Sequence, residues 1–265
     1  MYISPKFISE VLFLALLIFL EWSFPFFDQK REKILHDLRN LVLALINGVI
    51  GSVIFSSLIV AVVRWSDRSG HGILASIPEG GAAHLIAAFL LFDLWMYTWH
   101  VINHLVPFLW RFHRVHHSDP AMDASTGLRF HPGEIILSYC ARLIIIPVIG
   151  IKYSELVTYE AVLVAVILFH HSNVALPEYM DKILRSVIVS PRMHRVHHSD
   201  IMVETNSNYS SIFSWWDRIF GTYRYRENMK TLRFGLKEYN SSRDQELISL
   251  FAAPFRNPDK NRKQD

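Results

Sequence analysis

Cysteine is nearly missing from this 265-residue chain, and the one present, Cys140, lies in an apolar stretch. An intramolecular disulfide is therefore excluded, and Cys140 is expected to be a small buried apolar side chain. Excess charge is lacking too. The formal net charge is only +3, too little to argue for a nucleic-acid partner, and neither a basic helix nor a Cys/His finger spacing is present. The zinc-protease motif HExxH does not occur. Nor does Glu-x-x-His, the unit from which soluble di-iron bundles build carboxylate-rich sites.

Apolar residues are plentiful, at 51% of the chain, and they come in long blocks, which points to a membrane protein. Residues 8–27 carry only Glu10 and Glu21 as charges and end in an aromatic belt. With one lysine before them and no small-residue cleavage site after, they are expected to be a retained span rather than a signal peptide. Residues 41–63 run without a charge apart from their flanks, and 82–99 form a third span holding His84 and Asp93. Two shorter apolar stretches, 135–151 and 156–169, are joined by Lys152–Glu155 and read as a helical hairpin. The expected architecture is all-α: an integral membrane bundle of three spans plus the hairpin 135–169. A histidine-rich metal-binding region, residues 100–134 and 170–225, caps it, and residues 226–265 follow as a tail. The whole chain, 1–265, reads as one domain. The Lys/Arg-rich segment 29–39 fixes the orientation if it is cytoplasmic. All the clustered histidines then fall on the cytoplasmic face, and the bacterial inner membrane is expected rather than the endoplasmic reticulum.

Fourteen histidines are present, eleven of them between His100 and His198. His100 and His104 are four apart, so on a helix they share a face about 5–6 Å apart, within reach of one metal at bonds of about 2.0–2.1 Å. His113, His116 and His117 form an HxxHH run that can serve two adjacent metals. The run recurs as His194, His197 and His198, and the seven residues from His113 to Asp119 repeat identically from His194 to Asp200. Imidazole suits iron, zinc and copper and adds no charge to the site. His131 and His171 lie near span ends on the same face and are further candidate ligands. His170 adjoins His171 but cannot share its helical face. His84 lies about 24 Å of helix before His100 and is excluded. His36 and His71 are expected to be solvated loop residues. Asp93, buried in a span, is a candidate outer partner of the site or part of the substrate path. Asp119 and Asp200, just after the HxxHH runs, are candidates to accept a ligand imidazole N–H.

The order HxxxH, HxxHH, HPxE, HSN, HxxHH resembles the fatty acid hydroxylase/sterol desaturase superfamily, the membrane histidine-motif di-iron oxygenases. The resemblance runs from about Asp93 to Tyr223 and includes WRFHRVHHSDP from Trp110, LRFHPGE from Leu128 and NYSSIFSWWDRIFGTY from Asn208. Val101 and Leu105 stand where many relatives have arginine, and Ser210 where glycine is common. The resemblance implies two iron ions and O2 as co-substrate, with hydroxylation or desaturation of a lipid (sterol, fatty acyl, carotenoid or ether lipid). It implies as ligands His100, His104, His113, His116, His117, His131, His171, His194, His197 and His198. Asn173 and Asn208, in the HSN and NYSS motifs, join the candidate outer partners. No cysteine or glycine-rich nucleotide motif follows Tyr223. Electrons are thus expected from a separate ferredoxin, cytochrome b5 or reductase-type donor. The competing reading is a non-catalytic, zinc-handling membrane protein.

Overall fold

The computed structural model describes residues 5–28, 33–239 and 241–256. Lys30 and Arg31 of the basic segment, and most of the terminal residues expected to form a solvated tail, lie outside the described residues. Long helices come first: α1 (Pro5–Ser23), α2 (Lys33–Ile50), α3 (Ser56–Ser69), α4 (Ala82–Leu105), α5 (Pro107–His117), α6 (Pro132–Ile149) and α7 (Tyr153–His171). Shorter ones follow, α8 (Glu178–Leu184) and α9 (Pro191–His197), with single turns beyond. Among the described residues, extended pairing is limited to three isolated bridges.

Among the described residues, four helical stretches are long and apolar enough to cross a membrane: Lys33–Ser76, Ala82–Leu105, Pro132–Ile149 and Tyr153–His171. The chain is an integral membrane protein. Both arms of the expected hairpin are thus of spanning length, and the second stretch is longer than 41–63 because a π-turn at Gly51–Phe55 carries α2 into α3. α1 forms a helix where the first span is expected. It is not among those four; Leu12 and Phe19 face outward, 64% and 65% exposed, while Leu17 is buried against Ala124 and Leu168. Cys140 also faces outward from α6 rather than lying buried. An apolar stretch in a membrane bundle has a lipid side as well as a core side, and composition does not distinguish them.

The two ends of the bundle differ. At one end Gly150 terminates α6 with φ +80, in close backbone contact with Gly72 at φ +123, a conformation that glycine alone adopts without strain. Lys152 in this turn pairs with Asp67 and Glu79, and His84 Nδ1 lies 2.6 Å from Glu155. His84 therefore belongs to the end opposite the histidine runs, as helix length requires. At the other end converge the C-termini of α1, α4 and α7 and the N-termini of α2 and α6.

Proline shapes that second end. Val106 precedes Pro107 and adopts an extended conformation, φ −89 and ψ 112, because a residue before proline is pushed out of the helical region. α4 breaks there and α5 folds back across it. Residues 229–256, expected as part of a tail, instead pack over this cap. Leu236, Tyr239, Leu250 and Ala253 join Leu43 and Val115 in one apolar cluster, and Met229 and Leu232 join Val196 in another. Outside the lipid, burying each large side chain of this kind stabilises by about 1.5–3 kcal/mol. Arg129 is buried there too, donating to the Val115 carbonyl, Asn40, Ser118 and Gln245.

Candidate metal centre

Nine histidines converge where α4, α5, α7 and α9 meet. Their ring nitrogens form two groups within which the candidate ligand atoms all lie within 4.8 Å of one another: His100, His104, His113, His117 and His197; and His116, His171, His194 and His198. Helix geometry explains the division. In each HxxHH run the residues four apart stay together, His113 with His117 and His194 with His198, while the middle histidine crosses to the other group. The repeated runs thus contribute in opposite proportions, two and one against one and two. Rings of the two groups touch, with His117 and His198 stacked at 4.5 Å between centroids.

The outward nitrogen of several rings is fixed by an acceptor. His100 Nδ1 lies 2.7 Å from the Tyr209 carbonyl, His197 Nδ1 2.6 Å from the Ser207 carbonyl, and His171 Nδ1 2.8 Å from the Ile167 carbonyl. A carbonyl only accepts, so each of these rings carries its proton on Nδ1 and turns the lone pair of Nε2 inward. His113 Nδ1 does the same with Glu134 Oε1 at 2.7 Å. His104 Nδ1 lies 3.2 Å from Asn206 Oδ1.

The inward nitrogens then face one another. His100 Nε2 and His113 Nε2 are 3.1 Å apart, and His171 Nε2 lies 3.1 Å from both His116 Nε2 and His194 Nε2. In the His100–His113 pair both facing atoms are lone pairs, an arrangement that is repulsive unless a cation lies between them. Protonation is opposed: burial first, then the neighbouring imidazoles, hold His116, His117, His194, His197 and His198 well below the ordinary histidine range. Two nitrogens each about 2.1 Å from one ion, subtending about 90–110° at it, stand about 3.0–3.4 Å apart. The spacings match. His104 Nε2 and His197 Nε2 are buried without a hydrogen-bond partner, as atoms reserved for a metal are. The residues therefore fit a pair of metal ions held by neutral nitrogen donors, a set suited to iron, zinc or copper.

His131, expected as a ligand, stands apart from both groups. It is the N-cap of α6, accepting from Gly133 N–H through Nδ1 at 2.9 Å, while Nε2 lies 3.3 Å from the Phe251 carbonyl. Both ring nitrogens are engaged, and the ring leaves no lone pair for a metal. The residue of the HPGE motif that reaches the site is Glu134, through His113. His170 is buried with its ring centroid 4.0 Å from that of His194 and belongs to neither group.

None of the expected outer partners hydrogen-bonds a ring of the two groups directly. Asp93 accepts from Tyr159 Oη, Trp216 Nε1 and the N–H groups of Ile212 and Phe213. Asp217, which sequence reasoning passed over, accepts from the N–H groups of Tyr209 and Ser210. Together these two buried carboxylates fix the loop that presents the Ser207 and Tyr209 carbonyls to His197 and His100. Asn208 holds the same loop with φ +54, bonding the Met193 and Arg224 carbonyls. Asn173 bonds Phe27 N–H and the Phe27 carbonyl, tying the end of α1 to the turn after α7. Asp200 sits half-buried in its turn with its N–H on the Arg233 carbonyl.

Asp119 accepts from His36 Nε2 at 2.8 Å and Thr126 Oγ1 at 2.7 Å, not from a ligand imidazole. His36 is correspondingly not a solvated loop residue, since it lies on α2 in a largely buried network with Lys33, Asp37 and Asp123. His71 is exposed, as expected. Below the histidines lies a cavity of about 140 Å³, with Met96, Trp99, Phe130, Leu163 and Ile167 among its walls alongside His100, His113 and His171.

A model of the fatty acid hydroxylase family matches residues 85–222, more than half of the chain. The chain is 28% identical over 142 residues to ornithine lipid hydroxylase OlsE of Rhizobium tropici, covering 54% of this chain and 42% of that protein. It is 27% identical over 143 residues to cholesterol 25-hydroxylase of Homo sapiens, covering 53% and 51%. It is also 28% identical over 170 residues to alkylglycerol monooxygenase of Homo sapiens, covering 62% and 35%. The chain thus spans about half the length, or less, of these curated relatives. No solved structure matches it. By the family match and by the histidines it brings together, this chain belongs to the fatty acid hydroxylase family.

Proposed function

We propose that this chain is an O2-dependent membrane oxidoreductase that hydroxylates or desaturates a lipid. In this reading nine histidines hold two iron ions, and a separate ferredoxin, cytochrome b5 or reductase-type protein supplies the electrons. The observation that carries it is the pair of facing lone pairs on His100 and His113, set within two adjacent groups of buried imidazoles whose Nε2 atoms stand about 3.1 Å apart. Iron bound there would supply activation of O2 and removal of hydrogen from an unactivated C–H bond. The named relatives, a hydroxylase of an ornithine lipid, a hydroxylase of cholesterol and a monooxygenase of alkylglycerol, support a lipid as substrate.

The protein's own part is positional. His113 is aimed by Glu134, His100 and His197 by carbonyls of the 207–210 loop, and His171 by its own helix. The apolar walls of the cavity hold a hydrocarbon against the histidine groups and keep water away from them. We place the metal site on the cytoplasmic face, where the electron donor would dock.

The test uses the purified full-length chain with a lipid extract, O2 and a chemical reductant. A lipid gaining one oxygen or losing two hydrogens, only when O2 and reductant are both present, is expected. A protein that binds zinc alone, yields no oxidised lipid and transports the metal would support the zinc-handling reading instead.

A further inference from the structure

Beside the cavity beneath the histidines lies a larger one of about 370 Å³, the two sharing Phe130, Ile135, Arg142 and Leu163 among their walls. At the far side of the larger cavity stand Lys6, Glu10 and Glu160. Arg142 on α6 and Glu160 on α7 lie about 15–17 Å of helix, and Glu10 on α1 about 20 Å, from the end that carries the histidines. Arg142 and Glu160 sit well inside helices of membrane-spanning length, where ionisable groups are costly and mark function.

These four residues form a chain of ion pairs. Arg142 Nη1 lies 3.2 Å from Glu160 Oε1, Lys6 Nζ 3.5 Å from Glu160 Oε2, and Lys6 Nζ 3.9 Å from Glu10 Oε1. Two cations and two anions leave no net charge. Hydrogen bonding is incomplete, however. Arg142 Nε, a donor, and Glu10 Oε1, an acceptor, are both buried without a hydrogen-bond partner. A buried polar atom left unpaired is expensive, so the quartet, though balanced in charge, is short of one acceptor and one donor.

We propose that this quartet receives the polar end of the lipid, and that the lipid is uncharged and carries a hydroxyl group. A hydroxyl accepts from the Arg142 guanidinium and donates to the Glu160 carboxylate, adding no charge to a balanced site. A carboxylate or phosphate would bring an uncompensated negative charge to membrane depth and offers no donor. The hydrocarbon of the bound lipid then runs along the shared walls toward His100 and His113, so Arg142 and Glu160 select the substrate and set which carbon reaches the site. The inference rests on the lipid-oxidation reading of the histidine centre.

Binding of tritiated 1-hexadecanol, hexadecanoate and hexadecane to the detergent-purified, metal-loaded full chain tests it. The alcohol is expected to bind about tenfold more tightly than either the alkane or the acid, the worth of one hydrogen bond to a charged group. Arg142→Met should lower alcohol binding to the level of the alkane and leave the alkane unchanged. Glu160→Gln, close in shape to the native residue, leaves Arg142 unbalanced and should reverse the preference toward the acid. That gain cannot come from misfolding or from a merely structural ion pair. Wild-type protein preferring the acid, or a ranking unmoved by Glu160→Gln, would overturn the proposal. Metal content and turnover on the same samples separate the two readings. A lost ranking with metal and turnover intact sinks the lipid subsite alone, whereas an intact ranking without lipid oxidation sinks the oxidation reading alone.

Discussion

Glu134 Oε1 lies 2.7 Å from His113 Nδ1, so the one carboxylate among the described residues in hydrogen-bond contact with the two histidine groups holds a ring by its outward nitrogen rather than competing for the metal. Its second oxygen is buried without a hydrogen-bond partner. A carboxylate in this position fixes the tautomer, keeps Nε2 free and raises the basicity of the ring.

Glu134→Ala should therefore lower metal affinity or turnover by about 10–100-fold. Glu134→Gln, whose amide oxygen still accepts the N–H, should lose less. His131→Ala, by contrast, should leave metal content unchanged and cost about 0.5–2 kcal/mol of stability, the usual worth of an N-cap. Metal analysis and thermal unfolding of the three variants check the contrast, and metal loss in His131→Ala would restore His131 as a ligand.

Gly127 sits in the turn Ala124–Leu128 packed on α7. A Cβ there would stand 3.1 Å from Ile167 Cγ2, 3.3 Å from His171 Nδ1 and 3.4 Å from the Ile167 carbonyl. Gly127→Ala should thus press on the hydrogen bond that aims His171, at an overpacking cost of about 1–3 kcal/mol. Metal held by the His116, His171, His194 and His198 group should be released more readily to a chelator. Unchanged release would mean the turn yields without moving the ring.

Asp123 ties the loop after the first HxxHH run to α2. Burial alone would raise its pKa, but His36 and Lys33 beside it hold the carboxyl far below the ordinary carboxylate range. Asp37, Asp119, Glu21, Ser125 and Thr126 also belong to this network. The sign follows from the depressed folded-state value. Stability from this group is fully present above its unfolded value, about 3.9, and is lost as pH falls from there toward the folded value. The Asp123 contribution should hold from neutral pH to about 5 and fade below about 4, beneath an earlier loss, starting below about 6.5, that comes from the histidines buried neutral at the site. Asp123→Asn should remove part of that acid dependence and cost less than the about 3–5 kcal/mol of a fully broken buried pair, because Glu21, Asp37 and Asp119 still face Lys33 and His36. An unaltered acid limb in the variant would locate the dependence elsewhere.

Much of this was legible in the sequence, for reasons tied to local geometry. Spacing of three and four residues on a helix decides which imidazoles face together, so the HxxxH and HxxHH runs declared their convergence. Their division into two groups follows from the same rule. His84 was excludable by helix length alone. Contacts between distant segments were not legible. His36 meets Asp119 only because α2 packs on the loop after α5, and residues 229–256 cover the cap through apolar positions too sparse to show a period. The HPGE motif carried a true signal with two chemically plausible bearers, and only the ring contacts of His131 gave the role to Glu134. Asp93 was rightly marked by its burial in a span, but its carboxylate serves a loop rather than a ring.

Metal stoichiometry tests the central claim most directly. Purified full-length protein should hold two iron ions per chain. His104→Ala, in the first group, and His198→Ala, in the second, should each lose one ion and keep the other, with turnover abolished in both. Two ions retained in either variant, or a single ion in the unaltered chain, would contradict a centre built from two histidine groups.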